Sequence, residues 1–238
     1  MKHVDVVIIS WAKDDDLLKV TKDGLDSLFE SETDIAFHAY IVESNKDINY
    51  DEYNSDPRWP FHKTKTIHTD LPFGYHRYLN LGRREGNSPY VALCNSDLTY
   101  EKGWANEIIR AMDFDPEYLS ASPWCPQTQG SNSSLVDQLF EGYRVRAELA
   151  GWCIFQQRKI YDIIGELDEQ FEFWYCDNDY AIQLEKNGIK HCLVCNSVVN
   201  HHDGNLGKTG RSLSTEDQQK ITNDQSKIFM KKYQINHH

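Results

Sequence analysis

Residues 4–10, VDVVIIS, form a nearly unbroken, β-branched apolar run that ends on a serine. A strand that is apolar at successive positions has no face to give to water. It belongs inside a sheet covered on both sides, which is the setting of parallel α/β sheets. Asp14, Asp15 and Asp16 follow, and negative charge of this kind suits a helix start. Leu17, Leu18, Thr21, Leu25, Leu28 and Phe29 then recur at helical spacing. A second strand is predicted over 36–43, broken by Ser44-Asn45-Lys46-Asp47, and a short third over 64–69. A helix fits 74–84, ending near Gly86. A fourth buried strand, 90–94, runs directly into Asn95-Ser96-Asp97. Strand–helix alternation of this kind predicts an open α/β sheet in a single domain. Ligands of such sheets sit beyond the carboxyl ends of the strands, where Ser10, residues 43–45 and residues 95–97 fall.

The second half reads as strands over 118–124 and 150–155, with a polar loop and a helix over 135–146 between them. A helix over 177–186 stops at Gly188, and a strand returns over 189–199. Residues 204–214 form a glycine-containing loop that carries Lys208 and Arg211. Thr215 with Gln218 makes a capping box for a last helix whose apolar face is Ile221, Ile228, Phe229 and Tyr233.

With 37 acidic against 25 basic residues, the net charge of −12 argues against a chain that grips nucleic acid by bulk electrostatics. The six cysteines lie mostly in apolar surroundings, as reduced core thiols do. Cys192 and Cys195 form a CxxC with no second CxxC, and their place in a strand favours packing over zinc. The longest apolar run, 90–94, is far short of a membrane span. The first five residues run into a strand without a signal-peptide layout, so the expectation is a soluble, cytoplasmic protein of a cell or an infected host cell.

Three clusters can carry chemistry. An acid at the end of a buried strand, as in Asn95-Ser96-Asp97, can hold a divalent ion that bridges a diphosphate; alone, the triplet also reads as a turn. Asp177-Asn178-Asp179 opens a helix behind the aromatic stretch 171–175, and either caps that helix or offers a base at a pocket rim. His201 and His202 end a strand, where histidine can complete a metal shell, with Lys208 and Arg211 behind them to meet phosphate.

In this order the pieces resemble the GT-A-fold glycosyltransferases of family 2, inverting enzymes that use nucleotide sugars. The resemblance runs from Val4 to about Asp203. It is carried by VDVVIIS, IVESN, Asn80-Leu81-Gly82 ahead of YVALCNSD, Gly151-Trp152, IIGELDEQF, WYCDNDYAIQLEKNG and the His201-His202 pair. Asn95 replaces the first Asp of the family's DxD motif, Cys176 stands where Glu is usual, and Glu43 replaces the more usual Asp. The resemblance implies a nucleotide-binding half over about 1–100, an acceptor-binding half over about 101–214 and a C-terminal helix over about 215–235. It further implies Mn²⁺ or Mg²⁺ on Asp97 and His201 or His202, and a nucleoside-diphosphate sugar contacting Ser10, Glu43, Asn80, Ser96, Lys208 and Arg211. Asp177 becomes the base. Trp152, Trp174, Tyr175 and Asp179 become acceptor contacts, although Trp152 serves equally well as a core aromatic. The acceptor is a glycan or another hydroxyl compound, with a hydroxylated base in viral DNA as a minority alternative resting on Lys63/Lys65, Arg83/Arg84 and Lys231/Lys232. A non-catalytic carbohydrate- or nucleotide-binding relative is the other alternative, disfavoured by retention of Asp97 and Asp177. A nucleotidyltransferase is disfavoured because Trp11–Asp16 has one lysine and no glycine.

Overall fold

The first strand sits inside the sheet and is covered on both faces, as its composition demands. The structure, a computed structural model, describes residues 1–130, 137–202 and 215–234, without the side chains of Thr215 and Gln218. In chain order its elements are β1 (Lys2–Ser10), α1 (Asp15–Glu30), β2 (Ile35–Glu43), β3 (Lys63–Ile67), α2 (Tyr75–Glu85), β4 (Tyr90–Asn95), β5 (Leu98–Tyr100) and α3 (Trp104–Phe114). There follow β6 (Tyr118–Trp124), α4 (Pro126–Gln129), β7 (Leu139–Glu141), β8 (Cys153–Gln157), α5 (Tyr161–Ile164), α6 (Cys176–Lys186), β9 (Lys190–His201) and α7 (Thr215–Tyr233).

The sheet order is β3-β2-β1-β4-β8-β6-β9-β5, with β7 also paired to β9. β1 pairs in parallel with β2 and β4, and β2 with β3. β8 runs antiparallel between β4 and β6, so the sheet is mixed. Alternate residues of β1 enter different layers. Val4, Val6 and Ile8 pack with Leu25 and Leu28 of α1 and with Trp104 and Ile108 of α3. Val7 packs on the opposite face with Leu79 of α2 and, through Leu93 and Ile154, with Tyr180 and Leu184 of α6. Burial on both faces is what makes β1 and β4 nearly continuously apolar over Val4–Ile9 and Val91–Cys94.

Asp14 caps α1 by accepting a hydrogen bond from Leu17 N at 2.9 Å. At one edge of the sheet a 3₁₀ turn, Asp51–Ser55, runs along β3. Thr64 N donates to Asn54 Oδ1 at 2.9 Å, Asn54 Nδ2 returns a bond to Thr64 O at 2.9 Å, and Thr66 N donates to Asp51 Oδ1 at 2.8 Å. All six cysteines are buried and unbridged.

The expected helix over 135–146 is a correction. Residues 139–141 are instead β7, antiparallel to β9 with Leu139 opposite Val194. Gly142 (φ 159°) and Arg146 (φ 67°) leave helical backbone altogether. Partners more than 50 residues away set this segment, and local periodicity does not see them. Among the described residues no helix is long and apolar enough to cross a membrane.

Candidate active site

β1 separates β2 from β4, so the chain leaves it in opposite directions and opens a crevice at its carboxyl end. There lies a cleft of about 970 Å³. Ser10, Trp11, Asn95, Ser96 and Asp97 line it from the β1 and β4 ends, and His201 lines it from the end of β9. Asp97 and His201 are brought together by the β5–β9 pairing, which sets Leu98 opposite His201. Asp97 Oδ1 lies 3.4 Å from His201 Nε2. His201 stacks on Trp152, with ring centroids 5.4 Å apart and an interplanar angle of 17°. Asn95 Nδ2 is 3.5 Å from His201 Nε2, while Asn95 Oδ1 accepts from the Tyr75 hydroxyl at 2.9 Å. The same hydroxyl lies 3.0 Å from Gly151 O, so Tyr75 ties the first turn of α2 to both strand ends.

The start of α6 lines the same cleft. Asp177 lines it, and Asp177 Oδ1 accepts from Asn178 N at 2.9 Å. Burial pushes the Asp177 carboxyl above its ordinary range; backbone hydrogen bonds and the nearby charge of Arg146 only partly offset this. A Cβ on Gly151 would fall 2.7 Å from Asp177 Cβ, so the position has no room for a side chain if Asp177 keeps its place. Just ahead of Asp177, Tyr175 holds a left-handed backbone at φ 62°. Such strain in a bulky residue persists only where surrounding contacts enforce it. Here the Tyr175 ring stacks on Phe229 of α7 at 4.9 Å, and Asp179 N donates to Tyr175 O at 2.8 Å. Phe73, Phe173 and Trp174 complete the mouth, with Phe73 and Trp174 about 40% and 39% exposed.

No protein-family model and no curated protein matches this chain. Solved structures do. TarS 1–349 from S. aureus aligns over 94% of this chain and 70% of its own, at TM-score 0.61 and 11% identity. GalNAc-T7 with UDP, GalNAc and Mn²⁺ aligns over 84% and 43%, at TM-score 0.62 and 12% identity. The mannosyltransferase PcManGT from Pyrobaculum calidifontis, with GDP-Man and Mn²⁺, aligns over 86% and 58%, at TM-score 0.60 and 13% identity. The fold is GT-A. The chain spans about half the length of the latter two, and at these identities the likeness is one of fold.

On this GT-A fold the residues singled out from sequence divide. Ser10, Ser96, Asp97, Trp152, Trp174, Tyr175, Asp177 and His201 all line the one cleft. Four others are committed elsewhere. Glu43 is 1% exposed, and its carboxylate accepts from Ala12 N, Asn45 N and the Tyr50 hydroxyl at 2.8–3.0 Å, so it braces the two loops beside the cleft. Asn80 is fully buried and clamps Leu167 through both its N–H and C=O. Asp179 binds Lys232 Nζ and the Tyr233 hydroxyl, both at 2.5 Å, and so anchors α7. His202 turns to the other side of β9, 2.9 Å from Thr99 Oγ1. Lys208 and Arg211 lie outside the described residues. Of the basic pairs considered for DNA, Arg83 and Arg84 are held by Glu166, Lys65 by Glu85, and Lys232 by Asp168 and Asp179.

The sequence reading missed Trp11, Phe73, Tyr75 and Arg146, all of which line the cleft. Trp11 directly follows a strand end and was legible by that rule. Tyr75 and Arg146 carry no local signal, because their roles depend on elements far away in the chain.

Proposed function

We propose that this chain is an inverting glycosyltransferase that moves a sugar from a nucleoside-diphosphate sugar to an acceptor hydroxyl. The observation that carries the reading is the convergence of Asp97, His201 and Asp177, from three distant segments, on one cleft at the carboxyl end of β1. Neighbours of the same fold solved with UDP, UDP-GlcNAc or GDP-Man support a nucleotide-sugar donor. The family 2 resemblance of the sequence supports inversion.

The residues present fit a divalent ion. A carboxylate and an imidazole nitrogen 3.4 Å apart suit Mn²⁺ or Mg²⁺, and no third acidic, cysteine or histidine group converges on them among the described residues. Hard ions held by one or two protein ligands complete their shell with water and substrate phosphate. Asp97 and His201 would hold the ion, which when bound supplies Lewis acidity to offset charge on the departing diphosphate. Trp152 fixes the His201 ring by stacking, and the aromatic mouth offers flat apolar faces to a sugar or a base. Asp177 accepts the proton of the acceptor hydroxyl while that oxygen attacks the anomeric carbon. The bond from that carbon to the phosphate oxygen breaks, and its electron pair leaves with the diphosphate. A carboxyl raised by burial is a better proton acceptor than an exposed one.

Calorimetry with UDP and with GDP, each with and without Mn²⁺, tests the donor half of the proposal. Metal-dependent binding is expected, and Asp97→Ala is expected to abolish the metal dependence while the thermal transition stays cooperative. Unchanged metal-dependent binding in Asp97→Ala would remove Asp97 from the site.

A further inference from the structure

The turn between β7 and β8 presents one arginine to the cleft in a costly way. Arg146 lines the cleft, is exposed, and sits at φ 67°, a left-handed conformation that side-chain-bearing residues rarely adopt. The turn is built to keep it there. Leu149 N and Ala147 N donate to Arg144 O at 3.1 Å, and Arg146 N donates to Leu149 O at 2.9 Å. Glu148, buried, accepts from Arg144 N and pairs with the Arg144 guanidinium. Glu148 O lies 3.2 Å from Nε2 of the fully buried His191, which pins the turn to β9.

Arg144 and Arg146 therefore differ although they are two residues apart. Every other arginine among the described residues is held in an ion pair with a carboxylate. The Arg146 guanidinium has no such pair and no hydrogen bond among the described residues. In a chain of net charge −12, a guanidinium that makes no ion pair among the described residues, on strained backbone and lining a cleft, has the properties of a recognition group.

We infer that Arg146 is an anion-binding subsite for the acceptor, and that the acceptor carries a phosphate or a carboxylate near the hydroxyl that is glycosylated. The assignment rests on the glycosyltransferase reading above. It favours the acceptor over the donor because the Arg146 turn closes on Leu149, two residues before Gly151, which abuts Asp177, the base the acceptor hydroxyl must reach, whereas the diphosphate is assigned to Asp97 and His201. The amino end of α6 adds positive potential to the same wall.

The test uses the full chain saturated with UDP (or GDP) and Mn²⁺. It is titrated, with NMR detection, with glycerol 3-phosphate against glycerol and with glucuronate against glucose. The charged member of at least one pair is expected to bind more tightly, and the pair that shows the preference distinguishes phosphate from carboxylate. Arg146→Gln should weaken the charged probe about tenfold to a hundredfold, the range for a hydrogen bond to an ionised group. It should leave the nucleotide Kd within about twofold, and Arg146→Lys should retain part of the anion preference. Arg146→Gly suits the left-handed backbone and so removes the guanidinium without straining the turn. Equal binding of charged and neutral probes, equal anion binding in Arg146→Gln, or a tenfold loss of nucleotide affinity in that variant would each overturn the assignment. If the unsubstituted protein binds no nucleotide, the donor reading fails separately, and the anion titrations on the free protein still decide the role of Arg146.

Discussion

At the scale of single residues, Asp177 illustrates a conflict between stability and chemistry. Its carboxyl is raised by burial, so ionising it costs more in the folded chain than in the unfolded one. A group with a raised folded value contributes its stability below its unfolded value and loses it as pH rises through the folded value. At neutral pH, therefore, ionised Asp177 is a net cost. Asp177→Asn keeps the shape and the bond from Asn178 N, and is expected to melt at a higher temperature than the parent at pH 7. The difference should shrink as pH falls below the ordinary carboxylate range. The same variant should lose transfer by at least about a hundredfold, and the parent's acid limb should lie above the range of an exposed carboxylate. A neutral melting temperature equal to or below the parent's, with near-normal turnover, would remove Asp177 from the base role. Glu43 and Asp179 show the converse: both are acids at strand or helix ends, yet each already accepts from several protein donors. Sequence identifies an acid at a rim position, but only tertiary structure shows whether its oxygens are already taken.

At the scale of elements, the segments legible in sequence are those whose burial is imposed by a single repeated pattern. β1, β2, β4, α2, α6 and β9 fall within two residues of their expected ends, because strands covered on both faces and helices covered on one announce themselves. β5 and β7 have three residues each and exist only through β9. α3 carries Trp104, Ile108 and Met112 at helical spacing, a signal present in the sequence that the reading passed over. The role of α7 was not legible at all, although its apolar face was. Lys232 reaches Asp168 at 2.7 Å and Asp179 at 2.5 Å, Gln225 Oε1 accepts from Glu172 N at 2.9 Å, and Phe229 packs on Phe171 and Tyr175. The helix thus buttresses the segment that presents Asp177. Lys232→Met leaves two acids without their cation and is expected to cost about 3 kcal/mol, the lower end for breaking a buried pair. Lys231→Met, on the exposed side, should change stability by less than about 0.5 kcal/mol. Denaturant midpoints of the two variants check this, and equal midpoints would refute the buttress.

At the scale of the whole molecule, a sheet that brings its functional groups to one end still has lateral edges, and the β3 edge is closed in an unusual way. An edge strand normally presents a row of free N–H and C=O groups to any passing chain. On β3 the N–H and C=O of Thr64 and the N–H of Thr66 are already taken by Asn54 and Asp51, whose side chains occupy the place where another strand would lie. Lys63 and Lys65 stand exposed on the same strand, Lys65 paired with Glu85, and charged side chains of this kind make an edge a poor template for pairing. Growth by strand addition is thereby blocked at this edge in the native state. Asn54→Ala reopens it, and light scattering during mild heating should show earlier aggregation than in the parent; unchanged scattering would mean that the turn itself shields the strand. The turn beside β3 therefore acts on molecules the protein never binds: it sets how crowded a solution of this chain can become before neighbouring sheets begin to join.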